Sequence, residues 1–568
     1  MSARWTWILV ALVGCDFGSP SSLMIDNSCT DDASCGEGVC DGAICIDDSG
    51  ASVDVAIEVL RGASEVRSGI PASWAFAPEP ASGSSVRDLV LPQTREVRGT
   101  VRWDGSRVPA TLRFVRRMTG AVAALSPTPV AVDTLREPAG GSGPGAYDFS
   151  ALLVAGETYD VTVLPSSDTV ALQAEPAGPA IRSLPPLYLA LTIDGGDPAQ
   201  PLRFDLVFPA GLADPCTADL RVQCTLEAAI FSLDGEGERA EPGLQVRAID
   251  AQSLRVVSSI GETDENGRFV IRIGESSSEY MIRVTSSAGN VPFPSVSVDP
   301  ELVFADPIEK RIFIPRLSPV RFTGRVRDTH EVAIQGATVR FLSTGVFGDQ
   351  LGLEGSFSGS ATTDAEGRFS ADLLPGLYTI SVTPPSDVEN AWGILSAEVL
   401  VGEDITSTEA LVVPPQIGLR GWVTTFRDDS ATGVTVLGRA RSNADLGARS
   451  QEAVTSALGA FVMTMDPGVY DMQVKASAET GFAWLVEPEL SMSAERGDVV
   501  RGYRLDPPIP VRGVVRNSEG VAVANALVRA YVLIDTGAGT ALPLQVAETA
   551  SGADGRYQLL IAPRLGGQ

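Results

Sequence analysis

The chain has 568 residues, 44% of them hydrophobic, with 57 glycines and 38 prolines, which is enough for several cores joined by many turns. Its formal net charge of −28 makes nucleic acid and bare anionic lipid poor partners. A single histidine, His330, excludes zinc-peptidase chemistry, which needs at least two histidine ligands and a glutamate.

At the amino terminus Arg4 precedes an apolar run from Trp5 to Val13, and Leu12-Val13-Gly14-Cys15 ends it. Charge, a short apolar core and small residues before a cleavage point are the features of a secretory signal. A cysteine at that point resembles the bacterial lipoprotein signature. The resemblance implies a signal peptide over residues 1–14, lipid on Cys15, a membrane partner through that lipid, and a Gram-negative-type cell envelope as location. The anchor would sit at the outer membrane or at the periplasmic face of the inner membrane. An ordinary signal peptide is the alternative. The apolar run is too short to span a bilayer as a helix.

Residues 15–50 read as a lipidated, cysteine-rich tether. Cys29, Cys35, Cys40 and Cys45 form one even set, and Cys216 with Cys224 another. In an oxidising envelope these predict two disulfides in the tether, with three connectivities open, and one further along the chain. A zinc site is the alternative, disfavoured because the tether has no C-x-x-C. Residues 51–92 are rich in Pro, Ala and Ser, with one possible strand.

Beyond the tether, a glycine stands two residues before an aromatic five times: Gly145/Tyr147, Gly267/Phe269, Gly367/Phe369, Gly459/Phe461 and Gly555/Tyr557. The spacing of roughly 100 residues fits a string of small sandwiches rather than a solenoid. The clearest copies read TDENGRF (Thr263 to Phe269) and TDAEGRF (Thr363 to Phe369). After them a tyrosine opens an alternating strand at Tyr159, Tyr280, Tyr378 and Tyr470, preceded in two copies by Pro-Gly. Before most units an apolar run, a proline bend and an alternating strand recur, as in Leu89 to Val101, Ile312 to Val326, Leu411 to Val423 and Tyr503 to Val515. Short linkers of this kind predict a stiff rod.

Strand-Gly-x-Val, Gly336-Ala337-Thr-Val339, T-D-x-x-G-x-F and P-G-x-Y together resemble the carboxypeptidase regulatory-like domain. The resemblance implies a transthyretin-like, seven-stranded Ig-type sandwich. The expected fold is therefore all-β, with tandem Ig-like/transthyretin-like β-sandwich modules after a disulfide-rich N-terminal tether. Module 1 is placed at 93–190, module 2 at 216–311, module 3 at 312–410, module 4 at 411–505 and module 5 at 506–568. Modules 3 and 5 carry the resemblance best.

Module 5 lacks a Tyr-x-Val strand after Gly555-Arg-Tyr557 and reads as incomplete. The expectation is partial disorder. The alternatives are an upstream segment such as Val53 to Leu60 filling the gap, or a strand donated by a partner.

No cofactor and no catalysis are expected. His330 lies in a charged turn, and the acidic pairs Asp264/Glu265 and Asp364/Glu366 recur at hairpin positions, as turn geometry requires and a single active site does not. Trp103 and Trp422 fall in first strands and read as core. Trp392 and Trp484 are the candidate ligand-binding residues, able to stack on a sugar, with plugging of module junctions as the competing reading. With lysine only at 310 and 475, lysine–asparagine cross-links cannot recur in every module. The partner is expected to be a protein or a polysaccharide.

Overall fold

The computed structural model describes residues 26–566 apart from 37, 42–43, 63–69, 126, 135–147, 167–182, 198–199, 217–222, 235–236, 276–279, 287–294, 299–309, 316, 347–352, 386–391, 403–406, 442–447 and 536–540. The protein is all-β, a series of Ig-type sandwiches, and among the described residues the buried side chains fall into five core clusters. No helix among the described residues is long and apolar enough to cross a membrane. Cys15, Gly145 and Tyr147 lie outside the described residues.

The third module gives the plan. One sheet runs in the order Leu353–Thr362, Thr338–Ser343, Gly376–Thr383, Leu395–Val401, and the facing sheet in the order Arg368–Leu373, Val320–Asp328, Leu411–Val413. Alternation places Phe322 and Val326 of the first strand, Phe369 of its neighbour and Tyr378 and Ile380 opposite into one core. Leu411–Val413 pairs in parallel with the first strand, so it ends the third module rather than opening the fourth. Arg311–Pro315 closes the second module in the same way, and Val499–Leu505 the fourth. Leu202–Arg203 and Leu206–Val207 close the first, which therefore runs past residue 190. The apolar run before each proline bend is thus the last strand of the module behind it.

The glycine of the first strand explains the aromatic opposite it. Gly421 pairs with Phe461, and a Cβ there would lie 2.8 Å from the ring; at Gly99 it would lie 2.9 Å from Phe149. Gly324 with Phe369 and Gly513 with Tyr557 repeat the arrangement. In the first module the aromatic opposite the first-strand glycine is therefore Phe149. The glycine of G-x-F has a separate task. Gly367 has φ 71° in the hairpin turn, and a Cβ there would collide with the Val326 carbonyl oxygen.

The fifth module is complete. Ser52–Leu60 pairs antiparallel with Leu527–Asp535, and Ser73–Ser82 pairs with Ser52–Leu60 on its other side. Ser85–Val86 and Leu89–Val90 then pair in parallel with Ile509–Arg516. This reproduces the third module strand for strand, with the last three positions supplied from the other end of the chain. Val55, Ile57, Val59, Leu89 and Leu91 share a core with Val511, Val528, Tyr557 and Ile561. The expectations of partial disorder, and of a single strand in 51–92, are both overturned. An uncovered sheet edge and an open apolar face are satisfied by the segment that can reach them. Tyr531 donates to the Glu58 carboxylate at 3.0 Å across this pairing, and burial followed by that carboxylate pushes its phenol up to about 12.

Closing the fifth module closes the chain of contacts. Arg116 stacks 4.0 Å over Trp74, joining modules one and five, and Arg272 lies 4.3 Å over Trp103, joining one and two. Ser295–Val298 pairs with Leu353–Thr362, which fuses modules two and three into one eight-stranded sheet. Arg449 of module four donates to the carbonyls of Pro384 and Trp392 in module three, and to its own module's buried Asp466. The Gly566 amide donates to the Val486 carbonyl at 2.8 Å between five and four. The contacts form a closed circuit, not the open rod that short linkers predicted.

The tether is docked as well. Its disulfides are Cys29–Cys40 and Cys35–Cys45, and Cys29, Cys35 and Cys45 pack into the fourth module's core with Phe426 and Phe482. Arg427 holds the tether carbonyls of Asp26, Ser28 and Ser34, and Asp41 pairs with Arg512. The hydrogen bond from Arg512 lowers the Asp41 carboxyl from its ordinary value.

Two outcomes follow from this packing. Ile57→Asp places a carboxylate in the fifth module's core and should destabilise it by about 3–5 kcal/mol. Hydrogen exchange would then accelerate throughout Val511–Ile561 while the third module stays protected; unchanged exchange would contradict the pairing. Gly324→Ala should cost about 1–3 kcal/mol through collision with the Phe369 ring, read as a lowered midpoint in urea.

Candidate binding surfaces

The residues that look most like chemistry are held by their own turns. Asp264 Oδ1 accepts from the Asn266 and Arg268 amides, and Asp364 Oδ1 from those of Glu366 and Arg368. The partner groups are backbone N–H, which is how an acidic side chain tightens a hairpin. His330 follows the same logic one turn earlier, where Asp328 accepts from the His330 and Val332 amides. The imidazole is 86% exposed, with Nδ1 3.9 Å from Asp328.

The buried member of the T-D-x-x-G motif is the threonine. Thr363 Oγ1 accepts from the Ala337 amide and donates to the Ile334 carbonyl. Thr455 does the same with Val434 and Ala431, and Ser551 with Ala526 and Val523. The fourth module can therefore lose the aspartate, with Ser456 in its place, and keep the brace.

The six described cysteines are paired, the third disulfide being Cys216–Cys224. The sulfurs of Cys29, Cys35 and Cys45 lie within 4.8 Å of one another, but all three are in disulfides, so they offer no thiolate for zinc. Lys310 donates to the Cys216 carbonyl at 3.1 Å, and Lys475 lies 4.1 Å over the Trp484 ring.

Both tryptophans singled out in sequence sit at module junctions and are half-buried. Trp392 bridges to Pro415 and donates its indole N–H to Asp328 at 3.4 Å. Trp484 bridges to Ile561 of the fifth module, with Lys475 over its ring. The geometry gives each a part in joining modules. Trp103 is core as expected, but Trp422 is 50% exposed, against the core reading. The reason is alternation: Gly421 faces inward toward Phe461, so its neighbour must face out. Its ring lies over Gly502, beside the exposed Val462 and Val500.

The equivalent outer face of the third module is polar. Arg325 pairs in register with Arg368, and Thr323 with Ser370. Ser407 and Thr408 line the other flank of a groove of about 650 Å³, with Thr362 and Asp364 at its end. Sequence reading missed this surface, although counting outward from Gly324 reaches Arg325.

No known family's sequence profile matches the chain, and no curated protein matches it. Among solved structures, a streptococcal ancillary pilin is 12% identical, covers 57% of this chain and 99% of its own, and has a TM-score of 0.20. GBS52, the minor pilin of Streptococcus agalactiae, is 13% identical over 33% of this chain and 95% of its own, with a TM-score of 0.20. BcpA, the major pilin subunit of Bacillus cereus, is 10% identical over 50% of this chain and 100% of its own, with a TM-score of 0.16. Scores this low carry no argument, and the fold assignment rests on the strands described above.

The brace makes a direct forecast. Thr363→Val leaves the Ala337 amide and the Ile334 carbonyl unpaired in the core and should cost about 2 kcal/mol, while Thr363→Ser retains most of the stability. Urea midpoints of the two variants would check it; equal losses would contradict the hydrogen-bonding role.

Proposed function

We propose that the protein is a non-catalytic, lipid-anchored scaffold of the bacterial cell envelope, acting by adhesion or by holding a partner through tandem carboxypeptidase regulatory-like domains. The observation that carries this reading is that Asp264, Asp364 and Asp328, the acidic residues nearest to any candidate chemistry, hold the backbone of their own turns. One oxygen of each carboxylate is committed to main-chain N–H, and the arrangement recurs in separate modules, as hairpin geometry requires and a single active site does not. The disulfides support an oxidising compartment, since such bonds persist outside the cytosol. Lipid on Cys15 supplies the anchor in this reading, and the closed circuit of modules supplies a rigid body for presenting surfaces.

Two readouts on the full-length protein test it. Palmitate labelling and membrane sedimentation should both be lost in Cys15→Ala, whereas equal sedimentation would remove the anchor. Incubation with envelope glycans and peptides should return each one unchanged, and turnover would overturn the non-catalytic role.

A further inference from the structure

The outer faces of the first-strand sheets differ from module to module in how their arginines are neutralised. In the first module Arg98 pairs with Glu96 and Arg203 with Asp205. In the fourth Arg420 pairs with Asp498, and in the fifth Arg556 pairs with Asp554. The third module neutralises Arg321 with Asp372 in the same way, but not the next arginines along the strand pair. Arg325 and Arg368 stand directly opposite one another on adjacent strands, both exposed, and among the described residues neither guanidinium has an acidic partner. Like charges in that position repel. The repulsion becomes an attraction once an anion lies between them.

Hydroxyl side chains line much of the rest of the groove, with Phe369 and Gly324 beside them. Thr323 and Ser370 continue the two strands, Ser407 and Thr408 face them, and Thr362 lies at the end. Asp364 also lines the groove; its Oδ1 is taken by the Glu366 and Arg368 amides, which leaves Oδ2 to accept from a hydroxyl. Two guanidinium forks and a hydroxyl wall match a ligand that carries both an oxyanion and a polyol. The net charge of −28 does not forbid this, because charges beyond about 8 Å are largely screened at physiological salt.

We infer that the groove of the third module is a binding site for an oxyanion-bearing polysaccharide, with Arg325 and Arg368 clamping a uronate carboxylate or sulfate ester and the surrounding hydroxyls holding the sugar. The inference rests on the binding-scaffold reading and names a ligand class for it. Trp392 and Trp484 do not line this groove.

Biolayer interferometry on the full-length protein in detergent, with oligogalacturonate, dextran sulfate, unsubstituted dextran and polyglutamate as probes, tests it. Oligogalacturonate or dextran sulfate should bind saturably, and whichever binds identifies the anion; neutral dextran should not bind. Arg325→Gln with Arg368→Gln should weaken binding by roughly tenfold or more, as loss of charge-assisted hydrogen bonds does. Both side chains are exposed, so the melting temperature should hold, and raising the salt should weaken the wild type more than the variant. Glycan binding that the double variant leaves intact overturns the groove but spares the scaffold reading. Binding of polyglutamate alone overturns the glycan assignment in favour of an acidic protein segment, and no binding of either anionic glycan overturns the site. Cleavage of oligogalacturonate refutes the scaffold reading instead.

Discussion

The pairing of Ser52–Leu60 with Leu527–Asp535 is the constraint on which the architecture depends. Four strands after residue 508 make half a sandwich, with an open backbone edge and an apolar face, and neither is tolerable in water. Joining strands some 470 residues apart carries an entropic cost of about 5 kcal/mol by the logarithmic scaling of loop closure. Five fully buried aliphatic side chains, Val55, Ile57, Val59, Leu89 and Leu91, return roughly 8–15 kcal/mol. Burial wins, and the intervening modules reduce the cost further because they are already compact. The tether follows from the same event, since Asp41 reaches Arg512 and the Asp47 amide reaches the Pro508 carbonyl at the module so completed.

Architecture and chemistry compete for the same residue types throughout the chain, and architecture accounts for most of them. The motif threonines brace neighbouring strands, the aspartates close hairpins, and the first-strand glycines admit a ring from the opposite strand. The tryptophans at 392 and 484 join modules. Exposed groups not engaged in this way include Arg325 with Arg368, and Trp422, on the outer faces of the short sheets. Function is therefore sought on those faces, where a side chain can vary without cost to the core.

The repeat of G-x-F, the tyrosine strands and the apolar run before each proline were legible because they report strand geometry directly. The even cysteine sets were legible as disulfides, though only the fold chose Cys29–Cys40 and Cys35–Cys45. The split module was harder to see. Leu89-Val-Leu-Pro92 carries the signature of a closing strand with no module body before it, which was the available clue. The tyrosine strand has a counterpart in Ser52–Leu60 without any tyrosine, so the tyrosine landmark does not mark it. Trp422 faces outward because the face of a strand residue is set by the neighbouring Gly421 and not by its own hydrophobicity. Contacts between modules, such as Arg449 on the Trp392 carbonyl, have no period and leave no trace in sequence.

Leu60 and Leu527 are register partners at one end of the joining strands, at a separation a disulfide can span. The most direct test of closure is to replace both with cysteine, oxidise, and run the full-length protein on a non-reducing gel. Closure within one chain predicts a monomer of altered mobility that reverts on reduction. Dimers or a ladder would show that the fifth module is completed by another copy, and absence of any cross-link would contradict the pairing itself.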